Sequence, residues 1–361
     1  MKLSEIITLT RMVNQVVLAK VTKSPRPVSV NLQVTKFCNL KCDYCFSDLD
    51  SLKEEKEPTL PDLFETIDEL YRHGCRHIIL MGGEPLIRKD IGIIISYIKK
   101  TKKMRCELVT NGYFISNHLE ALKLCDSVCI SLDGPKEAND IVRGDGCHDQ
   151  VLKGMDLLKA HSIKTRIHAV LTKYNIKIGL DYVAKLSKRY HFPFNFSMIM
   201  LRPEMRPDFI AFTEEEIQSF LTKYRNYKRQ GYLVFTSEKC FEHLLNWPLP
   251  GHYTIYEKDS LTPAQKNWVV PCNYGKYNAF VDVDGKIYKC CLTWKNGLNW
   301  REHGMKRALT HIGSNLIQCT SCRSIGDIER ALLLRGTSLS NLKMVFKYLF
   351  KGVRYDQHPP R

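Results

Sequence analysis

The 361-residue sequence has no long apolar run. Stretches such as VVLA at 16–19 and ALLL at 331–334 fall far short of the roughly 20 apolar residues that a spanning helix needs, so no transmembrane segment is expected. Glu5, Arg11 and Asn14 interrupt the apolar residues of the N-terminal stretch, which predicts no secretory signal there. Internal repeats and low-complexity tracts are also missing, which argues against solenoid or disordered architectures. The 44% hydrophobic and 25% charged composition is that of a globular chain. Acidic residues are in short supply: 38 Asp and Glu stand against 54 Lys and Arg, a net charge of +16. Residues 1–27 and 339–361 each carry five basic residues and one acidic, so half of the excess lies in the two ends. This imbalance suits a solvated basic face, an anionic membrane surface or an acidic substrate. No basic stripe is interleaved with aromatics, so nucleic acid is not an expected partner.

Cysteine is abundant, at 14 residues. Without a signal sequence, these thiols point to a reducing, cytoplasmic setting and to metal binding or catalysis rather than disulfides. Cys38, Cys42 and Cys45 form C-x3-C-x2-C, three thiols within eight residues. Thiolates so close together select a soft metal centre such as zinc, copper(I) or an iron–sulfur cluster. A closed zinc site wants four protein ligands, and no fourth lies nearby in the sequence. Cys272, Cys290, Cys291, Cys319 and Cys322 crowd the last quarter. Cys75, Cys106, Cys125, Cys129, Cys147 and Cys240 are scattered and read as small buried apolar residues.

From residue 28, extended and helical patterns alternate. Strands are expected at 28–35, 77–83, 105–112, 128–134, 164–172 and 194–201, with helices over 59–74, 89–100, 148–161, 177–190 and 213–231. Six strands alternating with helices predict an α/β domain with a parallel sheet. The segment 240–270, rich in Pro, Gly and aromatics, reads as a linker or irregular connection. Asp284-Gly285, flanked by alternating apolar residues, predicts a hairpin.

The Cys38–Cys42–Cys45 loop, with Tyr44 before the last cysteine, resembles the cluster loop of the radical S-adenosylmethionine (SAM) superfamily. MGGEP at 81–85, TNG at 110–112 and SLDGP at 131–135 are similar to further segments of that family, in the same order. The resemblance covers residues 28–235 and implies a partial (β/α)6 barrel. It implies a [4Fe-4S] cluster on the three cysteines, with its open iron chelated by SAM. Gly82, Gly83, Glu84 and Pro85 are the expected site for the methionyl ammonium group. Tyr44, Thr110, Asn111, Ser131 and Arg143 are expected beside the cofactor. Reductive cleavage of SAM to methionine and a 5′-deoxyadenosyl radical, followed by hydrogen-atom abstraction, is the implied chemistry.

Cys272, Cys290, Cys319 and Cys322 resemble the ligand set of the small Twitch/SPASM auxiliary-cluster domains, which implies a second [4Fe-4S] cluster suited to electron transfer. Cys291 could replace Cys290, and the same spacing also suits a zinc site. The expected domains are a basic N-terminal helix or extension (1–27), the barrel (28–235), a cysteine-rich α+β auxiliary domain (236–335) and a basic amphipathic helix and tail (336–361). The leading expectation is a radical SAM oxidoreductase that dehydrogenates a hydroxylated small or carrier-bound substrate, such as a sugar or cyclitol. A peptide-modifying maturase is the alternative. The 27 residues before the first strand are too few for an N-terminal peptide-recognition domain, so a maturase would rely on a separate recognition protein. A lipid-linked substrate at the membrane is a third reading, drawn from the basic apolar pattern of 339–352. A one-electron reductant such as flavodoxin or ferredoxin is the implied partner. Lys173, Tyr174, Asn175, Arg202 and Glu204 stand at strand ends as candidate substrate contacts, and His168 reads as a packing residue.

Overall fold

The computed structural model describes residues 3–45, 47, 56–198, 212–314 and 319–335. Arg202, Glu204 and the 339–352 pattern lie outside the described residues. Six parallel strands follow one another across one sheet: β1 (Ser29–Gln33), β2 (His77–Met81), β3 (Arg105–Thr110), β4 (Ser127–Ser131), β5 (Thr165–Leu171) and β6 (Phe194–Met198). Five of the six lie within their expected stretches and β4 starts one residue earlier, and the alternation with helices produces the expected partial barrel.

Side-chain alternation divides the strands into two faces. Val30, Leu32, Ile78, Leu80, Cys106, Leu108, Val128, Ile130, Ile167, Ala169, Phe194 and Phe196 belong to the apolar core under the helices. The opposite face carries Gln33, Glu107, Ser131, Arg166, His168, Asn195 and Ser197 and forms a polar lumen. The helix Leu60–Arg72 shows how the outer layer is set. Thr59 and Asp62 form a reciprocal cap at its start, and Leu63, Ile67 and Leu70 bury one face.

The sequence predicts a single helix over 89–100. The structure has Ile91–Ser96 followed by a π turn at Tyr97–Thr101. The wider turn keeps Ile98 buried while Tyr97 stacks on Phe64 and donates to Asp68. The expected linker at 240–270 is also corrected. It contains most of the helix Glu238–Leu245, the strand β7 (Thr254–Tyr256) and the helix Pro263–Trp268. Its local composition hides this because β7 pairs with a strand more than 60 residues away.

The Asp284-Gly285 hairpin is present, with Gly285 at φ +87°. Its strands, β8 (Asn278–Val281) and β9 (Lys286–Tyr288), continue the barrel sheet. β8 pairs parallel with β1, β9 antiparallel with β8, and β10 (Leu298–Asn299) closes that edge. β11 (Cys319–Cys322) pairs antiparallel with β7 in a separate two-stranded sheet. No helix among the described residues is long and apolar enough to cross a membrane.

Candidate functional site

The first cysteine loop leaves the C-terminal end of β1, where a parallel barrel gathers its chemistry. The GGEP segment after β2 docks directly on it. Gly83 N–H donates to Thr35 O at 2.8 Å and Glu84 N–H to Phe37 O at 2.8 Å. A Cβ on Gly83 would stand 2.0 Å from Phe37 O, and one on Gly82 2.4 Å from Thr35 O. Both glycines are therefore required for two backbones to touch. Asn111 holds the loop from the β3 side, donating from Nδ2 to Asn39 Oδ1 at 2.8 Å. Asp43 N–H donates to Val142 O from the side of the helix Lys136–Arg143. Burial pushes the Cys38 thiol up to about 11 and Cys42 to about 12, and Arg143 pulls both back. Such thiols keep their protons at neutral pH until a metal displaces them.

Glu84 is 1% exposed. Its carboxylate accepts from Leu86 N–H (3.0 Å), Thr110 Oγ1 (2.8 Å) and Asn111 N–H (2.7 Å), tying the end of β2 to that of β3. Burial raises its pKa to about 7 despite these three donors. None of the ion pairs among the described residues includes it, so the group is a buried acid without a cation. Pro85 opens the 3-10 turn that follows.

Asp133, fully buried, was not singled out from the sequence. It receives Arg143 Nε at 2.8 Å and Nη2 at 3.1 Å, and the Tyr44 hydroxyl donates to the same carboxylate. The Arg143 guanidinium also lies 5.5 Å from the Tyr44 ring centroid. Arg143 therefore clamps the cysteine loop through Asp133, and its Nη1 has no hydrogen-bond partner among the described residues. The only signal for Asp133 was its place inside the LDGP segment. Ser131, two residues before it, makes no hydrogen bond from its hydroxyl among the described residues. Asn175, a candidate substrate contact, is instead fully buried. It donates to Asp133 O and Val170 O and locks the loop after β5. Lys173 is exposed, and its ammonium lies over the Tyr174 ring.

Below these loops the lumen holds one continuous polar chain. Glu107 pairs with Arg166, and Arg166 Nη1 donates to Asn195 Oδ1 at 2.8 Å. That contact turns the Asn195 amide so that Nδ2 donates to His168 Nδ1, also at 2.8 Å. The proton of His168 must then reside on Nε2, which donates to Ser197 Oγ at 3.1 Å. His168 is thus a hydrogen-bonded lumen residue, not a packing one. Burial lowers its pKa to about 4, which keeps it neutral. The chain ends on the Ser197 hydroxyl hydrogen.

The second group of thiols forms around β11. Cys272 N–H donates to Thr320 O at 2.8 Å. Lys289 Nζ lies 3.9 Å from Cys319 Sγ, and Thr254 Oγ1 lies 3.5 Å from Cys322 Sγ. Cys290 lies within electrostatic reach of Cys272, Cys319 and Cys322, and Cys322 also within reach of Cys272. Burial raises the thiols of Cys272 to about 12 and Cys290 to about 11, and the half-buried Asp327 adds to both. Cys291 lies within reach of Tyr274. Among the described residues, no three His, Cys, Asp or Glu side chains close on a single metal-ion position.

Residues 32–179 match the radical SAM superfamily. The chain carries a radical SAM domain. Domains of this family bind a [4Fe-4S] cluster and SAM. The chain is 33% identical to the Fe-coproporphyrin III synthase of Methanosarcina barkeri over 165 residues, 44% of this chain and 41% of the relative. It is 29% identical to the mycofactocin maturase MftC of Mycolicibacterium smegmatis over 274 residues, 73% of this chain and 64% of the relative. These matches thus span less than two thirds of either relative. The fold is shared with Streptococcus suis SuiB bound to the precursor peptide SuiA, at TM-score 0.64 and 15% identity, over 90% of this chain and 77% of that one.

Proposed function

We propose that the radical SAM domain takes a hydrogen atom from a C–H bond of a peptide substrate and that a cluster held by the second thiol group would accept the electron given up when the resulting carbon radical is oxidised. The observation that carries the radical chemistry is Glu84, a buried acid without a cation, set between the three-thiol loop and the ends of β2 and β3. Such a group fits an ammonium ion. Cys38, Cys42 and Cys45 would hold the cluster, with Glu84 taking the methionyl ammonium of SAM. The Ser131 hydroxyl and Arg143 Nη1, without partners among the described residues, are the donors left for its carboxylate and ribose. When bound, the reduced cluster and SAM supply a one-electron cleavage to methionine and a 5′-deoxyadenosyl radical able to remove a hydrogen atom. The chain's own part is to seat both groups, orient the substrate in the lumen and exclude water.

Cys272, Cys290, Cys319 and Cys322 would hold a second [4Fe-4S] cluster. Four thiolates leave no open iron, which suits electron uptake rather than substrate binding. A flavodoxin or ferredoxin would supply the reducing electron. The peptide reading is supported by the similarity to MftC, whose match over 274 residues runs beyond the six-strand barrel. A second reading, dehydrogenation of a hydroxylated small or carrier-bound substrate such as a sugar or cyclitol, is supported by the neutral hydrogen-bonding lumen of Ser131, His168, Asn195 and Ser197.

Anaerobic reconstitution with SAM and a reductant tests the proposal. 5′-Deoxyadenosine should form, and Cys42→Ala should abolish it. Cys322→Ala should lose about half of the iron and keep SAM cleavage; loss of zinc with full iron would refute the second cluster. Stimulation of cleavage by peptides encoded near the gene, and not by polyols, favours the first reading. The reverse favours the second.

A further inference from the structure

The N-terminal helix Leu3–Thr22 has two apolar faces, and the barrel covers only one. Leu9 and Ala19 are buried, and Met12 and Val16 pack with Ala19 against Val28 and Tyr277. At 3.6 residues per turn, Ile6, Ile7, Val17, Leu18 and Val21 fall on the opposite side, within about a third of the circumference. They are 38%, 44%, 50%, 38% and 75% exposed. Five of the chain's exposed large apolar side chains thus share one helix. Thr10 lies in the same arc, and its hydroxyl donates back to Ile6 O at 3.0 Å, so that polar atom is already satisfied. Asn14 is the other polar residue of the arc.

Cations border this stripe on both sides. Arg11 flanks one edge and has no ion pair among the described residues. Lys20 flanks the other, and Lys276 stands close enough to repel it. Lys23, exposed, follows at the helix end. An apolar strip left uncovered by the described residues, with positive charge along both edges that no ion pair among them neutralises, matches a surface that is apolar within and anionic at its boundary. An acidic protein partner would neutralise the cations but gives no reason for their placement along both edges of the strip, where lysine and arginine stems reach from the apolar layer to headgroups.

We infer that this helix lays the enzyme on an anionic phospholipid surface, with Ile6, Ile7, Val17, Leu18 and Val21 in the acyl boundary and Arg11, Lys20 and Lys23 at the phosphates. This goes beyond the proposed reaction and does not depend on it. The test is co-sedimentation of the reconstituted full chain with phosphatidylcholine vesicles, with and without phosphatidylglycerol. The protein should sediment with the anionic vesicles and release as salt rises. A Val17→Glu, Val21→Glu double variant, with unchanged melting and unchanged iron content, should bind at least tenfold more weakly. Arg11→Gln with Lys20→Gln should weaken binding to anionic vesicles while leaving the apolar face intact. The inference is overturned if the full chain ignores anionic vesicles or if the Val→Glu variant sediments as the parent does. It is overturned too if that variant only converts a dimer to a monomer, which would assign the stripe to a second copy.

Discussion

Asp133 accepts both Arg143 Nε and Nη2, and through Tyr44 the same carboxylate holds the cysteine loop against the barrel. Charge, hydrogen bonding and loop position therefore meet on one buried group. Asp133→Asn removes the negative charge and leaves a buried guanidinium unpaired. Breaking a buried pair in this way costs about 3–5 kcal/mol. The expected outcome is a melting point lower by several degrees and reduced iron retention after reconstitution. A variant that melts and binds iron like the parent would show that the clamp is dispensable.

Gly83 separates fold from cluster assembly. A methyl group there would overlap Phe37 O, so Gly83→Ala must push the GGEP segment away from the cysteine loop. Far-ultraviolet circular dichroism should change little, because β2 ends at Met81. Iron and sulfide incorporation should fall severalfold. Normal incorporation would mean that the two segments need not touch.

Glu84→Gln tests the buried acid. Its two oxygens now accept three donors, and an amide places N–H against at least one of them. The variant also loses the charge that would meet an ammonium. SAM affinity, read by equilibrium dialysis of the reconstituted protein, should fall at least tenfold, about 1.4 kcal/mol. Unchanged affinity would place the ammonium elsewhere.

His168 predicts a pH dependence of stability. Burial lowers its folded pKa to about 4, while an unfolded histidine titrates near 6.5. Between those values the unfolded chain binds the extra proton, so stability is present above about pH 6.5 and is lost as pH falls toward 4. The slope approaches about 1.4 kcal/mol per pH unit for one such group. Desolvation lowers the half-buried His77 to about 4 as well, so His168→Gln should remove only part of the slope. Urea unfolding at pH 7.5 and pH 5 checks this. An unaltered difference between the two would mean that His168 titrates normally.

The strand-by-strand order of the barrel was legible because each strand and helix carries its own period and its own stop signals. Asp284-Gly285, for one, announced its turn. Asp133 and the His168 chain were not legible. Their partners come from other strands and loops, and nothing in the local pattern states which polar residues share the lumen. The 240–270 segment failed for the same reason, since β7 exists only through its pairing with β11.

The amino-acid order alone set out the candidate chemistry: three thiols after the first strand, a GGEP turn after the second, and five more thiols near the end. These depend on residue types at short spacing, which a chain carries whether folded or not. Only the tertiary structure decided that Glu84 lacks a cation, that Asp133 holds Arg143 and Tyr44 together, and that the His168 proton lies on Nε2. Each of these follows from burial and from contacts between distant segments, which arise when the chain closes its sheet and excludes water.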